Sequence, residues 1–277
     1  MTSPSISKNP FGRTGQPVTI VGLGGEGVLR TQGRGEEATT VIEEAFAAGI
    51  TYFESARAYA GSEGYYGLVW PKHKAERQNL FQTSKSAMRG KKGALSDLHA
   101  TLTNMRLEYL DLWQIHDVRT EEDLEAIAGP GGALEAFVQA KAEGKVRFIG
   151  VTGHHDPAIL TRAVREWPLD SVLMPVNPIE GVLGGFLDTT LPAAEVKGMA
   201  IIAMKVLGAS HYLFPDAGIT PEILIRYALS HPVTLAVVGC SSVHEVRTLA
   251  HVGQDFVPMS PDEMKKVEEL FAPHAQK

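Results

Sequence analysis

The chain has 277 residues with a formal net charge of −6, and 44% of its residues are hydrophobic, which is typical of a globular protein. The acidic balance argues against a nucleic acid or an anionic membrane surface as partner, and the single cysteine, Cys240, excludes an internal disulfide framework. No apolar run reaches the roughly 18 residues of a membrane span and the N-terminus lacks a secretory apolar core, so we expect a cytoplasmic protein.

Apolar runs of strand length alternate with helical patterns along the chain. They are rich in β-branched and aromatic residues and mostly lack polar alternation, as is typical of strands covered on both faces. The eight runs lie at residues 18–23, 50–55, 79–84, 110–115, 146–151, 171–176, 200–205 and 234–239. Eight strands with intervening helices predict an α/β fold, a closed parallel (β/α)8 TIM barrel that residues 1–277 form as one domain.

Two of the helical patterns show a clear apolar stripe. Residues 36–50 place Ala38, Val41, Ile42, Ala45 and Phe46 on one face, and residues 131–145 do the same with Leu134, Phe137, Val138 and Ala142. Gly49 and Gly144 follow these stripes, where a left-handed helix cap is expected.

Both ends of the chain add an element to the barrel. Residues 11–18 have turn chemistry at Thr14 and Gly15 and predict a β-hairpin that closes the barrel bottom. Residues 260–271 begin with a Ser-Pro-Asp capping signal and predict a final helix. An open doubly wound sheet is the alternative fold, but GLGGEG at 22–27 lacks the G-x-G-x-x-G spacing and no helical pattern follows it directly.

Four residues that can transfer a proton lie at or near the ends of three successive predicted strands: Glu54, Tyr59, Lys85 and His116. A parallel barrel gathers the carboxyl ends of its strands on one face, where its chemistry occurs. A phenol beside an ammonium, held by a carboxylate and flanked by an imidazole, can give or take a proton near neutral pH. The sequence therefore predicts a proton-transfer site at this face.

Several motifs in this order resemble the aldo-keto reductase family. They are FGRTGQPVTIVGLGG, GITYFESARAYAGSE, QTSK, LWQIH and GKVRFIGVTG, and the resemblance covers essentially the whole chain. It implies a (β/α)8 barrel that binds NADP(H), or less often NAD(H), and reduces the carbonyl of a small molecule to an alcohol.

Within this resemblance, Tyr59 corresponds to the general acid that protonates the carbonyl oxygen. Lys85 would bring the pKa of that phenol towards working pH, and His116 would donate a hydrogen bond to the same oxygen. Glu54 stands where the family has aspartate, and we expect it to pair with Lys85 as a longer substitute.

The resemblance also implies a set of cofactor-binding residues, with several departures from the family pattern. The set is Gly24, Gly25, Thr152, His154, Asn177, Met204, Lys205, Val206, Leu207, Gly208, Cys240, Ser241, Ser242 and Glu245. Leu173 replaces a glutamine, Met204 an aromatic residue, Leu249 an asparagine, and Glu245 the basic residue that often meets the 2′-phosphate of NADP. A carboxylate there suits a free ribose diol, so Glu245 favours NAD(H) or dual use.

The predicted substrate loops contain Leu29, Arg30, Arg57, Trp113, Val118 and residues 211–214. Arg30 and Arg57 favour an anionic or polyhydroxylated substrate. The sequence specifies neither the substrate nor the oligomeric state.

Two other functions compete with the reductase. The first is a metal-dependent hydrolase using His154, His155, Asp156, His116 and Asp117, but adjacent residues on a strand point to opposite faces, so we expect no metal site. The second is a barrel that binds nicotinamide cofactor as a sensor or auxiliary subunit, which the altered Glu54, Leu173 and Met204 motivate.

Overall fold

The computed structural model of the protein describes residues 5–275. A two-stranded antiparallel hairpin precedes eight parallel strands that close into a barrel, in the order β10-β3-β4-β5-β6-β7-β8-β9. The hairpin strands are β1 (Lys8–Pro10) and β2 (Pro17–Thr19). The barrel strands are β3 (Val21–Gly27), β4 (Tyr52–Phe53), β5 (Phe81–Ser86), β6 (Leu110–Ile115), β7 (Val146–Thr152), β8 (Ser171–Pro175), β9 (Ala200–Met204) and β10 (Leu235–Cys240).

Helices surround the barrel and follow the strands in the usual alternation. They are α1 (Gly35–Ala47), α2 (Ser62–Val69), α3 (Lys91–Met105), α4 (Glu121–Ala128), α5 (Ala133–Ala142), α6 (Pro157–Glu166), α7 (Pro178–Leu183), α8 (Gly185–Asp188), α9 (Thr190–Val196), α10 (Pro221–Ser230), α11 (Val243–Gln254) and α12 (Pro261–Phe271). The predicted (β/α)8 barrel with its hairpin and final helix is therefore confirmed.

The hairpin closes the bottom of the barrel with an aromatic plug. Phe11 is fully buried, and its ring lies 4.7 Å from that of Phe81 and 5.8 Å from that of Phe148. Gly12 has φ +51°, and a Cβ there would lie 2.4 Å from the backbone nitrogen of Ala200. Only glycine lets the turn come this close to the barrel floor.

Two details of the predicted elements are wrong. The first predicted strand joined two strands, because Val18 pairs with Asn9 in the hairpin and β3 starts only at Val21. On α5, Val138 and Ala142 are exposed, since the buried face consists of Ala133, Ala136, Phe137 and Ala140. These four positions follow the i, i+3, i+4, i+7 spacing of one helix face, and Val138 and Ala142 lie on the other side of the helix.

The predicted helix ends are confirmed. Gly49 and Gly144 follow α1 and α5 with φ of +88° and +70°. Ser260 and Glu263 form a capping box at the start of α12, each bonding the other's backbone N–H. Within the described chain, no helix combines the length and the apolar character needed to cross a membrane.

Candidate active site

Glu54, Lys85 and His116 come together at the carboxyl ends of β4, β5 and β6. The backbone N–H of Glu54 donates to Leu23 at 2.9 Å, and that of His116 donates to Ser86 at 2.8 Å. Both residues are therefore fixed to neighbouring strands although they lie just beyond their own. The barrel ladder places their side chains on the face where the sequence predicts chemistry.

Lys85 is held as a buried cation. Its side chain is only 1% exposed, its Nζ forms an ion pair with Glu54, and Nζ donates to the carbonyl of Ser55 at 3.0 Å. Burial acts to lower the pKa of Lys85, but the negative charge of Glu54 and the phenol of Tyr59 outweigh burial, so the net shift is upward. The ammonium is thus charged throughout the physiological range.

The carboxylate of Glu54 also accepts a hydrogen bond from strand β3. One carboxylate oxygen pairs with Lys85, and the other accepts the backbone N–H of Gly25 at 3.0 Å. A Cβ at Gly25 would lie 2.6 Å from the ring of Tyr59. The glycine therefore leaves room for the phenol and supplies the donor that anchors Glu54.

Tyr59 lies against this ion pair. Its Oη is 3.5 Å from Lys85 Nζ, and Nζ lies 4.7 Å from the centre of the phenol ring. Burial raises the pKa of Tyr59, and the opposing effect of Lys85 is smaller, so the net shift is upward. The sequence predicted a net decrease; in this structure Lys85 acts in that direction but does not outweigh burial.

His116 completes the group. Its ring meets that of Tyr59 edge-on, with centroids 5.8 Å apart and an angle of 85° between the planes. Burial, assisted by the charge of Lys85, lowers the pKa of His116 to about 3. The four residues that the sequence singled out therefore form one connected cluster.

Most of the predicted substrate-loop residues do not face this cluster. Leu29, Trp113 and Val118 are fully buried in the core, and Trp113 stacks on Phe137 with ring centres 3.6 Å apart. Strand alternation turns Trp113 away from the face that carries His116, towards α5.

The two arginines of the predicted substrate loops differ in the structure. Arg57 is occupied by ion pairs with Glu63 at 2.7 Å and Asp97 at 3.7 Å, so its predicted contact with an anionic substrate is not favoured. Arg30, by contrast, lies over the Tyr59 ring, 5.0 Å from its centre, and pairs with the exposed Glu26.

The residues predicted to hold the nicotinamide lie at the ends of β7, β8 and β9. Their side chains make contacts within the protein. Thr152 accepts the backbone N–H of Asp117 through Oγ1 at 2.8 Å. Asn177 caps α7, since its Oδ1 accepts from the N–H of Glu180 at 3.1 Å while its Nδ2 donates to the carbonyl of Lys205 at 3.3 Å. Leu173 is buried within the barrel, and the half-buried Met204 packs against the same apolar cluster.

The segment after β9 runs along the barrel rim. Lys205 is exposed with φ +54°, Val206 is buried, and Gly208 follows with φ +53°. The left-handed geometry at Lys205 and Gly208 turns the chain sharply, and Leu207 between them is half-buried.

At the start of α11, a glutamate of the same helix accepts a backbone hydrogen bond. Glu245 accepts the backbone N–H of Ser241 at 2.7 Å, and the Ser242 hydroxyl accepts the N–H of Glu245 at 3.3 Å. Cys240 is buried, and burial raises the pKa of its thiol to about 12. Gly24 packs closely under this turn, because a Cβ there would lie 3.0 Å from the nitrogen of Gly239.

Sequence reasoning missed a polar layer inside the barrel below the cluster. Tyr52, Thr83, Gln114 and Ser171 are fully buried, and among residues 5–275 their side-chain hydroxyl and amide atoms have no hydrogen-bond partner. A lone glutamine in the apolar run LDLWQI was the available signal, because alternation places Gln114 on the same face as Leu112 and His116.

The structure also corrects the argument against a metal site. His154 and His155 follow β7 in a loop and do not lie on a regular strand. Their Nε2 atoms both approach Oδ1 of Asp117, at 3.2 and 3.4 Å. Adjacent histidines therefore do converge here, because the chain has left the strand geometry on which the expectation depended.

A sequence profile of the aldo/keto reductase family matches residues 21–213. L-galactose dehydrogenase of Arabidopsis thaliana is 27% identical over 221 residues, which cover 73% of this chain and 66% of that protein. D-galacturonate reductase of Fragaria ananassa is 27% identical over 231 residues, covering 77% and 70%. The chain thus spans about two thirds of the length of these curated relatives.

A solved structure shows the same barrel. The aldo-keto reductase from Klebsiella pneumoniae in complex with NADPH superposes with a TM-score of 0.77 at 20% sequence identity, covering 98% of this chain and 96% of that one. The chain belongs to the aldo/keto reductase family, whose members are oxidoreductases.

Proposed function

We propose that this protein reduces an aldehyde, ketone or sugar carbonyl to an alcohol, or catalyses the reverse reaction, with a nicotinamide dinucleotide. The observation that carries the proposal is the contact between Tyr59 Oη and the buried ammonium of Lys85, 3.5 Å apart, at the chemical face of the barrel. A sensor would need a cofactor site but no proton donor, so this cluster favours an enzyme.

The proposed division of roles follows from the contacts. Tyr59 donates its phenolic proton to the carbonyl oxygen as a hydride from the bound dinucleotide reaches the carbon. Lys85 lies beside the phenolate that this transfer leaves and stabilises its charge, while Glu54 keeps the ammonium in place. His116, whose ring lies edge-on to Tyr59, is proposed to donate a hydrogen bond to the same oxygen and so orient the substrate.

The cofactor-binding set has one residue, Glu245, that bears on the 2′-position of a dinucleotide. Thr152 and His154 lie at the end proposed for the nicotinamide, and the exposed Glu245 at the start of α11 can exchange its contact with Ser241 for ribose hydroxyls. The NADPH complex of the Klebsiella pneumoniae protein supports NADP(H) as the cofactor. The family uses NADP(H), and we propose that Glu245, whose carboxylate would repel a 2′-phosphate, lets this chain accept NAD(H) as well.

The two relatives named for galactose and galacturonate support a sugar or sugar acid as the substrate class. Arg30 over the Tyr59 ring offers a cation at the mouth of the site, which suits an anionic or polyhydroxylated molecule. An arginine can bind a carboxylate through two parallel hydrogen bonds.

The test begins with fluorescence titration of the protein with NADH and NADPH, followed by a screen of sugar and aldehyde substrates. Tyr59→Phe is then expected to lower turnover by about a hundredfold to ten-thousandfold, with cofactor affinity within a few-fold of wild type. Tyr109→Phe is the matched control, because Tyr109 lies against Arg77 away from the site. Comparable turnover in Tyr59→Phe would remove Tyr59 from the acid role, and failure to bind either cofactor would end the reductase proposal.

A further inference from the structure

Three potential metal ligands converge beside the proposed active site. Asp117, His154 and His155 each offer one ligand atom, and these atoms all lie within 4.8 Å of one another. The histidines come from the loop between β7 and α6, whereas Asp117 comes from the loop between β6 and α4. The group thus joins two loops at the mouth of the barrel, next to His116.

The backbone of Asp117 is held firmly in this position. Its N–H donates to the Thr152 hydroxyl at 2.8 Å, and its carbonyl accepts from Arg89 at 2.7 Å. The next residue, Val118, donates its N–H to the carbonyl of Thr152 at 2.9 Å. Asp117 has φ +57°, a left-handed conformation that aspartate tolerates better than most residues. The loop is therefore preorganised to present the carboxylate to both histidines.

The carboxylate uses its two oxygens differently. Oδ2 accepts from Arg119 Nε at 2.8 Å, while Oδ1 is buried and has no hydrogen-bond partner among the described residues. The two imidazole Nε2 atoms nevertheless lie only 3.2 and 3.4 Å from Oδ1. When the imidazoles are neutral, these contacts bring two nitrogen lone pairs close to a carboxylate oxygen that no other described side chain occupies.

The two separations between Asp117 Oδ1 and the imidazole nitrogens, 3.2 and 3.4 Å, agree with a metal polyhedron. Zinc bonds to imidazole nitrogen and carboxylate oxygen measure about 2.0–2.2 Å, so neighbouring ligand atoms of a tetrahedral site lie roughly 3.4 Å apart. We propose that Asp117, His154 and His155 bind one divalent transition-metal ion of the zinc class. Two imidazoles and one carboxylate match the ligand preference of such ions and leave at least one coordination position open.

The surrounding charges set the expected strength of the site. Arg119 shares the carboxylate, and the positive charge of Lys205 lies near enough to act on His154. The positive charges of Arg119 and Lys205 oppose the binding of a metal cation. The site should therefore bind zinc with micromolar affinity, weaker than structural zinc sites built from four ligands.

The experiment is calorimetric titration of the full chain with ZnCl2, after treatment with a chelator and in the absence of nucleotide. Wild-type protein is expected to bind one ion per chain with micromolar affinity. Asp117→Asn and His155→Ala should each weaken binding at least tenfold, whereas His99→Ala, which removes an exposed histidine on α3, should not. His155 is itself 43% exposed, so its removal should leave the fold intact even where Asp117→Asn does not.

Cobalt supplies an independent measurement, because tetrahedral Co2+ with nitrogen and oxygen ligands has a visible absorption band. The band should appear with wild type and His99→Ala and be lost in His155→Ala. Absence of zinc binding below millimolar concentration, or equal affinity in wild type and His155→Ala, would overturn the proposal. Neither measurement uses cofactor or substrate, so the result is separate from that of the reductase test.

Discussion

Shortening Glu54 by one methylene tests whether the site is built around glutamate. From the sequence alone, Glu54→Asp should preserve or raise activity, because the family has aspartate at this position. The structure changes that expectation. The Glu54 carboxylate joins the ammonium of Lys85 to the N–H of Gly25, and both partners are buried.

The size of the effect follows from these two contacts. Aspartate is shorter by one carbon–carbon bond, about 1.5 Å, so it cannot maintain both contacts without movement of the backbone. Loss of the Gly25 contact leaves a buried N–H unpaired at a cost of about 1–3 kcal/mol. A shift of Lys85 by about 1 Å costs on the order of a hundredfold in turnover.

A second variant separates charge from length. Glu54→Gln retains the length but removes the negative charge, leaving the Lys85 ammonium buried without its counter-ion. Breaking a buried pair in this way costs about 3–5 kcal/mol. We therefore expect the stability order wild type, Glu54→Asp, Glu54→Gln.

Urea unfolding measures the stability of each variant, and carbonyl reduction followed by nicotinamide absorbance measures turnover. Glu195→Asp, on an exposed position of α9, is the control for a glutamate shortened outside the site. If Glu54→Asp matched wild type in both stability and turnover, the contact between Glu54 and Gly25 would contribute to neither. The argument that this glycine and glutamate act together would then be wrong.

Three further expectations concern the same face. Gly25→Ala places a methyl group 2.6 Å from the Tyr59 ring, so turnover should fall roughly a hundredfold; unchanged turnover in a steady-state assay would contradict this. The pKa of Lys85 is raised in the folded chain. The ion pair of Lys85 therefore stabilises the fold at every pH below the pKa of an unfolded lysine, about 10.4. This stability is lost as the pH rises through the higher pKa of the folded state. Urea unfolding at alkaline pH should show that loss in wild type and not in Glu54→Gln. Removal of the Glu245 charge by Glu245→Gln should raise the affinity for NADPH relative to NADH about fivefold, since a repulsion near the surface is worth about 1 kcal/mol; fluorescence titration would show an unchanged ratio if Glu245 does not face the 2′-position.

The barrel was predictable because each strand carries its own local signal. The run at residues 110–115 agrees with β6 to the residue, since leucine, tryptophan and isoleucine alternate between two buried surfaces. The boundary at residues 18–23 was wrong because hairpin and barrel strands have the same apolar character. Only pairing with Lys8–Pro10 distinguishes them, and pairing between distant segments is not a local property.

The site was predictable in its residues but not in its contacts. Strand ends indicated that Glu54, Lys85 and His116 share a face, because parallel strands gather their carboxyl ends. The direction of the Tyr59 pKa shift depends on burial against the attraction of Lys85, and burial is a property of the whole fold. The role of Asn177 as a helix cap likewise depends on where α7 begins, which a short helical pattern does not indicate.

The substitution of glutamate for the family's aspartate at residue 54 is the main sequence feature that suggests a decayed site, and the structure provides a counter-argument. In a site that had lost its function, nothing would maintain a hydrogen-bond donor for the second carboxylate oxygen of Glu54. Here the second oxygen bonds Gly25, and the absence of a side chain at that glycine is also what admits the Tyr59 ring. One residue on β3 therefore accommodates both the longer carboxylate and the proton donor, which favours a working proton-transfer site over a cofactor-binding remnant.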